Sequence, residues 1–153
     1  MYRKSFDFCK CFKGAHKAFG LFFTYTADFC KGDRIGLCLL VFAHIFNGKA
    51  VDVTTKNLKN CGLFDKARVV NMVSQDFLRT TKDNFDIVFL DPPYNMGILD
   101  EILPKVCEVT AEDGIIIAES ELGWKPAEIE GLKLKKQYKY GKVLVSKFQK
   151  ESL

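Results

Sequence analysis

Apolar and polar positions follow two different regimes along this chain. Before residue 49 apolar side chains are frequent but have no sustained period; after it, helical and strand periods alternate. Residues 49–61 read as a helix with Val51, Leu58 and Cys61 on its apolar side, stopped by Gly62. A short strand is predicted over 67–72 and a helical turn over 76–80, with Phe77 and Leu78 inward. Residues 85–90, Phe-Asp-Ile-Val-Phe-Leu, read as a buried central strand. Residues 97–109 set Ile98, Ile102, Val106 and Val109 on one helical face, with Leu99 and Leu103 beside it; Pro104 is expected to kink or restart that helix. Asp113-Gly114 is expected to turn into a fully apolar strand at 115–118, of the kind a sheet buries on both faces. Residues 122–130 form a loop holding Trp124, which either plugs the sheet or touches substrate, the plug being favoured. Residues 132–138 and 143–148 alternate as an antiparallel pair around Gly141-Lys142. Strands that alternate with helices and close on a hairpin imply an α/β domain.

The central strand ends in Asp91-Pro92-Pro93-Tyr94. Two consecutive prolines fix φ and remove two backbone donors, and the first holds Asp91 extended. Ligands of open α/β sheets bind beyond the carboxyl ends of the strands, where this stiff corner falls. Asp91 and the Pro92 carbonyl can together accept both hydrogens of an exocyclic amine. In guanine, adenine or cytosine that nitrogen is a poor nucleophile, because its lone pair is delocalised into the ring. Holding both hydrogens favours a pyramidal nitrogen with its lone pair aimed at an electrophile. Tyr94 offers a face for base stacking, worth ~1–3 kcal/mol, and a paired base must first be flipped out. The competing reading is a rigid turn without chemistry.

Asp-Pro-Pro-Tyr resembles the catalytic motif of S-adenosylmethionine-dependent amino-methyltransferases. FDIVFLDPPYNMGILDEILPKV, DGIIIAES and KQYKYGKVLVSKF, with NLKNCGL and ARVVNMVSQDFL before them, resemble the 16S rRNA guanine-N2-methyltransferases, the RsmD family, over residues 49–149. The resemblance implies a Rossmann-like class I methyltransferase sheet, mostly parallel, with a C-terminal antiparallel hairpin and an incomplete or divergent N-terminal portion. It implies S-adenosylmethionine as cofactor, bound across the strand ends. Asp91, Pro92, Pro93 and Tyr94 would be the catalytic corner. Val73 and Ser74, with Asp91, would meet the cofactor; a valine at that place packs against adenine and leaves its hydrogen bonds to the backbone. The implied partner is 16S rRNA or the small ribosomal subunit. No membrane or metal partner is expected, the protein is expected to be a monomer, and its compartment is the cytoplasm.

Residues 1–48 depart from that pattern and are read as a divergent segment before a methyltransferase-like domain at 49–153, one domain overall. They hold nine of the fourteen Phe and four of the six Cys. Where the family has a glycine-rich loop, the chain reads FCKGDRIG over 29–36. The acidic residue that grips the ribose would fall near Ile45 or Phe46, and Asp52 lies inside the following helix, out of register. A non-catalytic remnant without cofactor binding therefore stays open as an alternative, as does a fragment of a DNA adenine-N6 methyltransferase, which shares the tetrapeptide.

Charge changes the picture in one place. The net charge of +4 hides seven Lys and no acid over 131–150. Lys136, Lys139 and Lys142 are candidates for RNA phosphates, against the reading of a solvated lysine face. The six cysteines form no CxxC pair and have no His at zinc spacing, so free thiols in a reducing compartment are expected. The longest apolar run, 35–46, is shorter than the about 20 residues a membrane span takes. Charged residues interrupt the first turns of the chain, so no targeting signal is expected.

Overall fold

The computed structural model describes residues 21–27, 37–43, 48–60, 62 and 64–151, with side chains from Val51 on, Lys66 apart. The segment 29–36, Ile45, Phe46, both histidines and the cysteines other than Cys107 lie outside the described side chains. The elements are β1 (Leu21–Ala27), β2 (Leu37–Ala43), α1 (Gly48–Asn60), a 3-10 turn (Phe64–Lys66), β3 (Ala67–Val70), α2 (Ser74–Thr80), β4 (Phe85–Asp91), α3 (Ile98–Val109), β5 (Thr110–Glu121), β6 (Leu132–Tyr140) and β7 (Val143–Lys150).

Seven strands form one sheet in the order β3-β2-β1-β4-β5-β7-β6. The pairs β2–β3 and β4–β5 are parallel. β1 is antiparallel to both β2 and β4, and β7 is antiparallel to β5 and β6. Hence β2, β3, β4, β5 and β6 run one way, and β1 and β7 run against them. The C-terminal hairpin is as expected. The reversal of β1 adds a second antiparallel region that the sequence pattern does not signal, because both flanking strands are simply apolar.

The core lies on one face of this sheet. Val88 and Leu90 of β4, Ile116 and Ala118 of β5 and Phe148 of β7 alternate onto it, as the two-residue period of a strand requires. They meet Ile102, Leu103 and Val106 of α3 and Phe77 of α2, all buried. Each of these side chains larger than Ala118 contributes ~1.5–3 kcal/mol on burial. α3 carries Asp100 and Glu101 in its first turn, where the helix dipole favours acids.

Two local expectations are corrected. α3 does not restart at Pro104 but runs through it as one helix; Pro104 is exposed, and the Asp100 carbonyl that loses its helical partner belongs to an exposed residue. Asp113-Gly114 is not a turn before a strand but an irregularity inside β5, which begins at Thr110. The register against β4 jumps there from Phe85↔Thr110 to Ile87↔Ile115, with Asp113 at φ 59°. A Cβ on Gly114 would stand 2.6 Å from Thr110 Cγ2 and 2.7 Å from the Ala111 carbonyl oxygen, so glycine is what lets the strand bend.

Candidate active site at the β4 corner

β4 delivers Asp91 at its carboxyl end, half-buried, on the sheet face opposite the core. Pro92 is buried behind it, and Pro93 and Tyr94 are half-buried. The chain reaches α3 in a few residues because Asn95 and Gly97 both take left-handed backbone, at φ 60° and 67°. That turn swings Tyr94 toward β5, where its hydroxyl donates to Glu119 Oε1. A cleft of about 310 Å³ opens beside it, lined by the 92–100 segment, Glu119, Glu121 and Trp124. Pro92, Pro93 and Tyr94 line this cleft, and Asp91 closes β4 just before it.

Burial, and next the hydrogen bond to Glu119, push the Tyr94 phenol far above its ordinary range; the charges of Glu119, Asp91 and Glu121 act in the same direction. Tyr94 is therefore a neutral hydrogen-bond donor at physiological pH. Below the unfolded-chain pKa of 10.0 both states keep the proton, and stability is unaffected. Above it the unfolded chain releases a proton that the folded chain retains, so stability falls as pH rises. Tyr94→Phe is expected to show a shallower loss of melting temperature between pH 9 and 11 than the parent chain, in melts run across that range.

Trp124 both plugs and lines. Its ring packs edge-on to Phe148 with centroids 6.4 Å apart, and its Nε1 donates to Asp100 Oδ1 at 3.2 Å. The same residue forms one wall of the cleft. Glu119 and Glu121 are functional candidates that the sequence reading passed over. The available signal is Ala118-Glu119-Ser120-Glu121 at the end of an apolar strand, where the two-residue period sends both carboxylates to one face.

Val73 and Ser74 start α2, beyond the carboxyl end of β3. β3 and β4 run the same way, so these residues and Asp91 open on one edge of the sheet, three strands apart, or about 14 Å. Ser74 is buried and its hydroxyl donates to Gln75 Oε1 at 3.0 Å; Gln75 Nε2 donates on to Glu101 Oε1 at 3.3 Å, tying α2 to α3. At that edge β1 contributes its beginning, Leu21 paired with Asp91. Its end, Ala27, pairs with Leu37 at the far edge of the sheet.

The seven lysines of 131–150 do not act as one patch. Lys133 and Lys135 pair with Glu151 at 3.4 and 2.7 Å, and Lys150 donates to the Thr110 carbonyl at 2.7 Å. Lys136 lies on the Asp91 face of the sheet, Lys139 on the core-facing side opposite buried Leu144, and Lys142 at the hairpin tip. The three predicted phosphate contacts are thus split by the pleat. Cys107 is a buried free thiol, pushed up by that burial. Among the described residues no group of His, Cys, Asp or Glu is arranged to hold a metal ion, and no helix is long and apolar enough to cross a membrane.

The family model of Conserved hypothetical protein 95 matches residues 42–149. The chain belongs to this family, the RsmD family. The RsmD match begins inside β2, so β1, with its reversed direction, lies outside it. Ribosomal RNA small subunit methyltransferase D of Haemophilus influenzae is 37% identical over 46 residues, which cover 29% of this chain and 24% of that protein. The matched stretch is thus about a quarter of that curated relative's length. Among solved structures, yhhF of Escherichia coli, assigned as a methyltransferase, superposes with a TM-score of 0.66 at 26% identity over 74% of this chain and 64% of that one. A conserved hypothetical protein of Streptococcus pyogenes gives 0.66 at 22% identity over 73% and 71%. The fold is that of the Rossmann-like methyltransferases.

Proposed function

We propose that the chain is an S-adenosylmethionine-dependent RNA methyltransferase acting on the exocyclic N2 of a guanine in 16S rRNA. The observation that carries this is the β4 corner: Asp91 closes the strand, and the buried Pro92 and Tyr94 that follow it line a cleft at the carboxyl edge of the sheet, with the Tyr94 hydroxyl held by Glu119. When bound, the cofactor supplies a methyl group made electrophilic by a positive sulfur. The chain's own residues do the rest. Asp91 and the Pro92 carbonyl accept the two N–H bonds of the amine and set the direction of its lone pair. Tyr94 stacks against the ring. Asp91 takes up the proton the nitrogen releases as it gains the methyl group. Val73 and Ser74 would hold the adenine end, on the same edge of the sheet.

The described residues suit the base and the adenine end of the cofactor. At the Asp91 edge β1 contributes its beginning, and it ends at the opposite edge. That observation favours a second reading, a non-catalytic family member that keeps the corner and the basic hairpin. Incubation of the full chain with small ribosomal subunits and methyl-labelled S-adenosylmethionine, followed by nucleoside analysis of the 16S rRNA, separates the readings. N2-methylguanosine is the expected product. Absence of label, or label on adenine N6, would reject the assignment.

A further inference from the structure

Among the described residues β6 is an edge strand paired only with β7, and every residue from Lys133 to Tyr140 is exposed. Its sequence alternates Lys136, Tyr138 and Tyr140 onto one face. Tyr140 is 64% exposed and Tyr138 38%. The face they share is that of the candidate site. Tyr138 pairs with Val145, and Val145 with Glu119; Tyr140 pairs with Val143, and Val143 with Glu121. Directly paired residues share a face, so the two rings lie two strands, or about 10 Å, from the carboxylates that line the cleft.

At the hairpin end of that face two cations stand side by side. Lys136 stands directly opposite Lys147, like charges that repel across a sheet. Among the described residues neither is paired with a carboxylate. Lys136 Nζ instead sits 4.8 Å over the Tyr138 ring. Edge lysines alone would serve to block strand addition, but two exposed tyrosines work against that purpose. Paired cations beside open aromatic rings match a ligand that brings phosphates and flat bases together.

We infer that Tyr138 and Tyr140, with Lys136 and Lys147, form a stacking platform for an unpaired RNA strand flanking the nucleotide held at Asp91. The link to a flipped nucleotide rests on the proposed function; the platform itself rests on the hairpin. The test is fluorescence-anisotropy titration of a short labelled single-stranded RNA with the full chain, without cofactor, over a series of salt concentrations. Tyr140→Leu and Tyr138→Leu are each expected to weaken binding by about 5- to 150-fold with an unchanged salt slope. Tyr140→Phe, which keeps the ring, is expected to bind as the parent does. Lys136→Ala or Lys147→Ala is expected to lower the salt slope by about 0.7. Leucine variants that are folded by circular dichroism and bind as tightly as the parent would overturn the platform. Tyrosine-dependent RNA binding by a chain that transfers no methyl group would leave the platform standing and remove the proposed function. Undiminished rRNA methylation by the double leucine variant would do the reverse.

Discussion

Asp91→Ala is expected to lower methyl transfer to rRNA by at least about 100-fold, the scale on which loss of one preorganised electrostatic partner acts. In the proposed complex Asp91 both orients the amine and receives its proton, and among the described residues no other carboxylate sits at the end of β4. Glu119 is the nearest candidate by strand position, and its Oε1 already accepts the Tyr94 hydroxyl. Asp91 is half-buried at a strand end, outside the apolar cluster, so the variant should melt within a few degrees of the parent. Asp91→Asn retains an acceptor oxygen but no charge, and should fall between the two. Single-turnover rates with saturating rRNA measure this. Unchanged turnover in Asp91→Ala would remove the corner from the mechanism.

Phe85→Ala is expected to be the most destabilising single change in the described core. Phe85 is fully buried at the start of β4, with its ring 6.2 Å from that of Phe77, and its carbonyl oxygen lies near Gly114 in the bend of β5. Truncating a buried Phe costs about 3–5 kcal/mol. For a chain of this size each kcal/mol is worth roughly 2–4 °C, so the melting temperature should drop by about 6–20 °C. That cost is a large share of the about 5–15 kcal/mol that holds an average domain. Phe85 also fixes the direction from which β4 presents Asp91, so catalysis should fail with folding, whereas Asp91→Ala separates the two. Thermal melts of both variants, followed by circular dichroism, make the comparison.

Much of the fold was legible because its signals are local. The apolar strand at 85–90, the helical face of 98–109 and the lysine-rich hairpin each appear where the pattern places them. The Asp-Pro-Pro-Tyr corner was legible for the same reason, since two prolines after an apolar strand permit few conformations. What was not legible depends on partners distant in sequence. The bend at Asp113-Gly114 looks like any turn until β4 is beside it. The continuity of α3 through Pro104 follows from the solvent exposure of the Asp100 carbonyl's residue, which sequence does not state. Glu119 becomes a site residue only because β5 lies next to β4. The direction of β1 is invisible to periodicity, as LFFTYTA pairs equally well either way.

That direction also sets what to measure first. The proposed cofactor site lies at the edge where β3 and β4 end, and there β1 contributes its beginning rather than its end. Calorimetric titration of the purified full chain with S-adenosylmethionine tests the claim without any RNA. Saturable binding in the micromolar range is predicted, weakened in a Ser74→Trp variant that fills the adenine end. No heat at millimolar cofactor, from a chain folded by circular dichroism, would contradict the account and leave a methyltransferase scaffold without its methyl donor.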